Sequence, residues 1–125
     1  MTAVPNCASR ILIALLVSAA LGDSTSSTMA EEGKGMRFWN LTLHTITQLR
    51  LSPAGENTWG TDQCQNDRDG TVEHDERLRI TGIAPGRYDV KLADETGRTC
   101  VGRNIEVRAG AVFTVEEKQL IDCGY

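Results

Sequence analysis

From Arg37 onward, apolar and polar residues alternate with a period of two, in short runs cut by turn formers. Leu78 and Ile80 alternate with Arg77 and Arg79, and Tyr88, Val90 and Leu92 with Arg87, Asp89 and Lys91. Successive side chains of a strand point to opposite faces, so this rhythm suits half-buried strands and not a 3.6-residue helical repeat. The interruptions are Ser52-Pro53-Ala54-Gly55, Ala84-Pro85-Gly86, Asp94-Glu95-Thr96-Gly97 and Ala109-Gly110. Turn signals at roughly 8–12-residue spacing predict an all-β chain, a small antiparallel β-sandwich of about seven strands. A short turn of helix is predicted at Glu116–Leu120. In the first strand, Trp39, Leu41 and Leu43 form the apolar face, opposite Phe38, Asn40, Thr42 and His44. The expected core is therefore Trp39, Leu41, Leu43, Leu49, Leu51, Leu78, Ile80, Tyr88, Val90, Leu92, Val101, Ile105, Val107, Phe113, Val115 and Leu120.

Ahead of this region, residues 11–22 are one apolar run behind Arg10, followed by small and polar residues and by Thr28-Met29-Ala30. That is the layout of a secretory signal peptide, a helix removed on export. The run is shorter than the roughly 20 residues a permanent span needs, so no stable membrane span is expected after cleavage. The expected organisation is a signal peptide at 1–30, a flexible arm at 31–36 and a β-sandwich domain at 37–125. The implied location is periplasmic or secreted.

The net charge is −4, and Arg10 and Asp23 of the leader cancel. A mildly acidic domain is a poor partner for nucleic acid, which needs clustered positive charge. Cys7 departs with the leader, leaving Cys64, Cys100 and Cys123. An oxidising compartment favours one disulfide among them, and three pairings are open. Cys100–Cys123 is preferred because the intervening segment reads as a hairpin that returns its ends to each other. Closing such a loop contributes roughly 3 kcal/mol in the chain-entropy treatment. Cys64 is then an inert thiol or the site of an intermolecular bond.

Residues 54–76 form the one long irregular segment, and such segments in small domains are commonly functional. They carry Asp62, Asp67, Asp69, Glu73, Asp75 and Glu76 against Arg68. Gln65–Glu76 can be laid on a twelve-residue calcium loop, with side-chain ligands at positions 3, 5, 9 and 12, glycine at 6 and a carbonyl at 7. Asp67, Asp69, Glu73 and Glu76 match the side-chain ligands, Gly70 the glycine and Thr71 the carbonyl. Gln65 departs from the pattern, which expects aspartate at position 1, and the flanks are not helical. The competing reading is a solvated acidic turn. His74, among these acids, is a candidate contact residue. Trp59 is either a recognition anchor or an apolar plug for one end of the sandwich.

No Gly-x-Ser-x-Gly, His-Glu-x-x-His or glycine-rich phosphate loop occurs, so no nucleophile and base are paired in sequence. Asn40-Leu41-Thr42 fits a glycosylation sequon. Phe38-Trp39-Asn40, Leu49-x-Leu51-Ser52-Pro53-Ala54-Gly55 and Trp59-Gly60, followed by Gly82–Val90 and Asp94–Cys100, resemble small exported bacterial proteins of unknown function. Pro85-Gly86-Arg87-Tyr88-Asp89-Val90 is also similar to carboxypeptidase-regulatory and collagen-adhesin B-type sandwich domains. Both resemblances imply a β-sandwich, and neither brings a catalytic site. The expected function is an exported, non-catalytic binding or accessory module for an unidentified protein or small ligand, with 54–76 as its interaction end. The alternative is a calcium-binding domain, and the third reading is an enzyme using the loop carboxylates.

Overall fold

The computed structural model describes residues 35–125. The expected signal-peptide helix and most of the expected arm lie outside them. Seven strands follow in chain order: β1 Arg37–Leu41, β2 Ile46–Pro53, β3 Arg77–Arg79, β4 Gly86–Asp94, β5 Thr99–Val107, β6 Val112–Glu116 and β7 Ile121–Gly124. One sheet has the order β3-β1-β6 and the other β2-β4-β5-β7. The described residues are all-β as the alternation requires, and the expected helical turn is a 3₁₀ turn at Glu117–Gln119. The pairing is antiparallel except between β1 and β6, which run parallel. Among the described residues no helix is long and apolar enough to cross a membrane.

The core lies between the sheets. Phe38, Leu78, Ile80, Phe113 and Val115 come from one side, and Ile46, Leu49, Leu51, Val90, Leu92, Ile105 and Val107 from the other. The Phe38 and Phe113 rings meet at 5.6 Å, a tilted pair set by the β1–β6 register. Gly102 gives room to the core between β5 and β6: a Cβ there would come within 3.2 Å of the Ile105 Cδ1 and 3.8 Å of the Val115 Cγ1. The β4–β5 hairpin closes at Gly97, whose φ of 88° suits the left-handed position of the turn.

The first strand presents the opposite face to the one expected. Met36, Phe38, Asn40 and Thr42 point inward and are buried, whereas Leu43 is 67 % exposed. A shift of one residue in the rhythm transfers every side chain to the other face. Met36, expected in the arm, belongs to the core. Asn40 is tolerated inside because all of its side-chain groups are matched. Its Nδ2 donates to the carbonyls of His44 and Val72, and its Oδ1 accepts from the Thr42 N–H and hydroxyl. That burial also removes Asn40 as a glycosylation acceptor in the folded protein. Trp39, expected in the core, lies half-buried on the outside with the Arg77 guanidinium 4.1 Å from its ring centroid. Leu41 is half-buried and outside the core cluster, while Tyr88 and Leu120 pack at its margin.

The disulfide joins Cys100 of β5 to Cys123 of β7, the pairing expected, although the segment between them is not a hairpin: β6 crosses to the other sheet and β7 returns beside β5. Every residue of β7 is exposed, so this strand is held by its ladder to β5 and by the covalent bond rather than by burial.

Candidate functional site

The 54–76 segment is a strap along the open side of the sandwich. Strands β2 and β3 are both edge strands, and an uncovered edge exposes unpaired N–H and C=O groups. The strap satisfies many of these groups. The Gly60 N–H donates to the Leu51 carbonyl at 2.9 Å, and the Leu49 N–H donates to Asp62 Oδ1 at 2.9 Å. The same Asp62 oxygen caps the 3₁₀ turn Gln63–Asn66 by accepting from the Cys64 N–H. Val72 and Ile46 exchange both backbone hydrogen bonds. On the other sheet, Gln63 pairs with both backbone groups of Thr81, and the Asn66 Nδ2 donates to the Arg79 carbonyl at 2.8 Å. Gln63, Cys64 and Val72 are buried as a result.

Cys64 is the free cysteine among the described residues, and it is fully buried. Burial, with the nearby Asp62 second, pushes its thiol up to about 12. A buried, protonated thiol is neither a nucleophile nor accessible for an intermolecular bond. Of the two readings of this residue, the inert thiol is the one the fold supports.

The acidic residues of the strap are used locally. Asp67 Oδ2 accepts from the Asp69 N–H at 3.0 Å, within a turn that Gly70 completes at a φ of 76°. Glu76 Oε1 accepts from the Glu73 N–H at 2.8 Å. Asp75 Oδ1 accepts from the Trp39 indole N–H at 3.0 Å. Thr71 is half-buried beside Val72. Among the described residues no three His, Cys, Asp or Glu side chains are placed to hold a metal ion, so Asp67, Asp69, Glu73 and Glu76 are not brought to one point. The glycine turn of the calcium pattern is present. The convergence is not, because the 3₁₀ turn contains Gln65 at the first ligand position and the Val72–Ile46 pairing fixes the middle of the loop. His74 Nδ1 lies 2.6 Å from the Thr42 carbonyl, at the β1–β2 connection.

Trp59 does not plug the sandwich. It is half-buried and outside the core cluster, with the Lys91 ammonium 4.9 Å from its ring centroid. Lys91 sits between inward-facing Val90 and Leu92, so it projects from the outer face of the four-stranded sheet. The β2–β4 register sets Arg50 directly opposite Lys91 on that face, and Arg50 Nη1 donates to the Gly60 carbonyl at 2.9 Å. Trp59 and His74 therefore belong to different neighbourhoods, the first over β2 and β4 and the second against Thr42. The Arg50–Lys91 juxtaposition was not readable from the sequence, because it depends on register across two strands separated by the strap.

Two buried carboxylates brace the surroundings. Burial alone would raise Asp89, yet the Gly55 and Asn104 N–H groups and the Arg103 guanidinium hold it below the ordinary 3.8. The Asn104 contact fixes a bulge in β5 opposite Asp89, with Asn104 at a φ of 56°. Asp94 is likewise opposed by burial, but the Thr96 hydroxyl and N–H and the Arg98 guanidinium and N–H lower it. Arg98 also donates to Glu117 at 2.7 Å, and Glu117 accepts from the Leu43 N–H. This chain of contacts ties the β4–β5 hairpin to the β1–β2 turn and to the 3₁₀ turn before β7. Comparison of the chain with protein families, with curated proteins and with solved structures gave no match.

Proposed function

We infer that this chain is an exported, non-catalytic binding or accessory module whose interaction end is the Trp59 portion of the strap. The observation that carries the reading is Trp59 itself. Trp59 lies half-buried outside the core, carried by the strap to the outer sheet face with the Lys91 ammonium over its ring, and Lys91 stands opposite Arg50. Aromatic residues held by a rigid scaffold are frequent anchors of recognition. The rest of the strap is tied down on both sheet edges, so the anchor is pre-positioned and loses little freedom on binding. Export is supported by the leader pattern and by the disulfide, a bond that persists in oxidising compartments. The non-catalytic character rests on the sequence, which pairs no nucleophile with a base.

The test is partner capture from an envelope or culture-fluid fraction with the wild-type protein and Trp59→Ala. At least one captured species is expected to disappear from the variant. Its melting temperature is expected to stay within about 1 kcal/mol equivalent of wild type, because the side chain removed lies outside the core. Identical partner sets, or a collapse in stability, would contradict the reading.

A further inference from the structure

We propose that the chain pairs with a second copy of itself through the free edge of β6, in a two-fold arrangement centred on Phe113. This surface lies across the sandwich from the strap and goes beyond the reading of Trp59. The outermost strands of the two sheets are β2, β3, β6 and β7. The strap seals β2 and β3. β7 is blunted by a break in its register with β5 and by Asp122 at a φ of 53°. β6 has no such device. It runs from Val112 to Glu116 without a bulge, a proline or a lysine, and Ala109–Val115 carries no charge.

The Arg37 N–H donates to the Ala111 carbonyl at 3.1 Å, which fixes the side to which each residue of β6 turns its backbone. Residues 111, 113 and 115 face β1, so Val112, Thr114 and Glu116 face outward. The Glu116 N–H is taken by Gln119 Oε1 at 2.7 Å. Val112 and Thr114 have no backbone partner on that side among the described residues. These two residues are self-complementary. Antiparallel pairing about Phe113 sets Val112 of one copy opposite Thr114 of the other, and each such pair exchanges both N–H···O=C bonds. Their β-branched side chains meet on the outer face, where Val112 is 45 % exposed. Glu116 falls opposite Gly110, so no acid meets an acid although the net charge is −4.

A second copy fits this side better than a lone peptide strand. β5 lies beneath β6, since a Cβ on Gly102 would approach Val115, and the turn after Val107 leads directly into β6. β7 pairs with β5 at Thr99 and Val101, so the stretch from Arg103 to Val107 has no strand beside it there. Both layers are therefore open on one side. A lone strand would extend the three-stranded sheet alone, whereas a two-fold copy brings up a β6 and a β5 together. The same axis turns the Arg103 end of one β5 towards the Glu106 end of the other, which sets unlike charges side by side.

Sedimentation equilibrium of the purified protein from micromolar to millimolar concentration reads the oligomeric state, and amide NMR signals locate the contact. The proposal expects a monomer–dimer equilibrium in which the Val112 and Thr114 N–H signals shift and exchange more slowly as the dimer forms. Val112→Lys/Thr114→Lys sets lysine against lysine in both pairs, and the dimer is expected to weaken about tenfold or more. Val112→Lys/Thr114→Glu sets lysine against glutamate in both pairs and is expected to restore it. Melts confirm that both variants fold, as outer-face positions allow. A monomer throughout overturns the proposal, as does a dimer indifferent to the lysine pair or a lysine–glutamate variant that stays monomeric. Shifts of Val112 and Thr114 in a monomer on adding the blocked peptide Thr-Val-Thr-Val-Thr overturn it in favour of a partner's strand. Trp59→Ala is expected to dimerise as wild type does, so the two readings fail separately. Loss of the dimer in that variant overturns the β6 interface in favour of the strap.

Discussion

Asp94 is 3 % exposed, and its carboxylate accepts from Thr96 and Arg98 through both oxygens. Its pKa and that of Asp89 are lower in the folded protein than the ordinary 3.8. A depressed carboxylate contributes stability that is fully present above the unfolded value and is lost as pH falls through the folded one. Unfolding is therefore expected to sharpen below about pH 4. Asp94→Asn leaves Arg98 with Glu117 alone, and the expected loss near neutrality is about 2 kcal/mol. A denaturant series across pH checks this: the gap between wild type and variant should narrow in acid, where wild-type Asp94 is itself neutral. A gap independent of pH would contradict the assignment. Neither carboxylate stood out in the sequence, because an aspartate within a strand reads as a solvent-facing residue until the hairpin and bulge that enclose it are known. The Cys100–Cys123 pairing was expected from a hairpin, but the two ends meet because β7 returns to pair with β5 after β6 has crossed to the other sheet.

At the scale of elements, the alternating runs of β4 and β6 carried their own assignment, since Val90, Leu92, Phe113 and Val115 face inward. Of the β5 residues expected in the core, only Ile105 and Val107 do so: the bulge between them and Val101 sets Val101 opposite Lys91, on the other face from the one expected. β1 did not carry its assignment, because its inward row, Met36-Phe38-Asn40-Thr42, is half polar and its outward row contains Trp39, Leu41 and Leu43. Hydrophobicity points the wrong way there, and the hydrogen bonds of Asn40 decide. β7 depends on its covalent bond to β5. Reduction, or Cys100→Ser/Cys123→Ser, is expected to cost about 3 kcal/mol. Hydrogen exchange should accelerate first at 121–124, and unchanged protection there would show that the ladder suffices. In the strap, the turn at Gly70 was legible, but the fate of the surrounding carboxylates was not. Spacing cannot tell ligands that converge from acids that each cap a nearby N–H. Because Asp67, Asp69, Glu73 and Glu76 are not gathered, millimolar calcium is expected to leave the melting temperature equal to that in chelator. A calcium-dependent rise would mean that the loop rearranges to collect them.

Across the whole molecule, the strap does two jobs with one stretch of chain. Its middle seals the edges of β2 and β3, and its beginning sets Trp59 over Lys91 on the outer face. A sequence displays the irregularity and the charge of such a segment, but edge sealing appears only when both sheets are in place. The functional reading depends on this division, since a mobile strap could not pre-position its aromatic residue. Residue-resolved hydrogen exchange of the native protein tests it most directly. The account predicts that the N–H groups of Ile46, Leu49, Gly60, Val72 and Thr81 exchange nearly as slowly as those in the centre of β4 and β5. Rapid exchange at these positions, with β4 and β5 still protected, would contradict it.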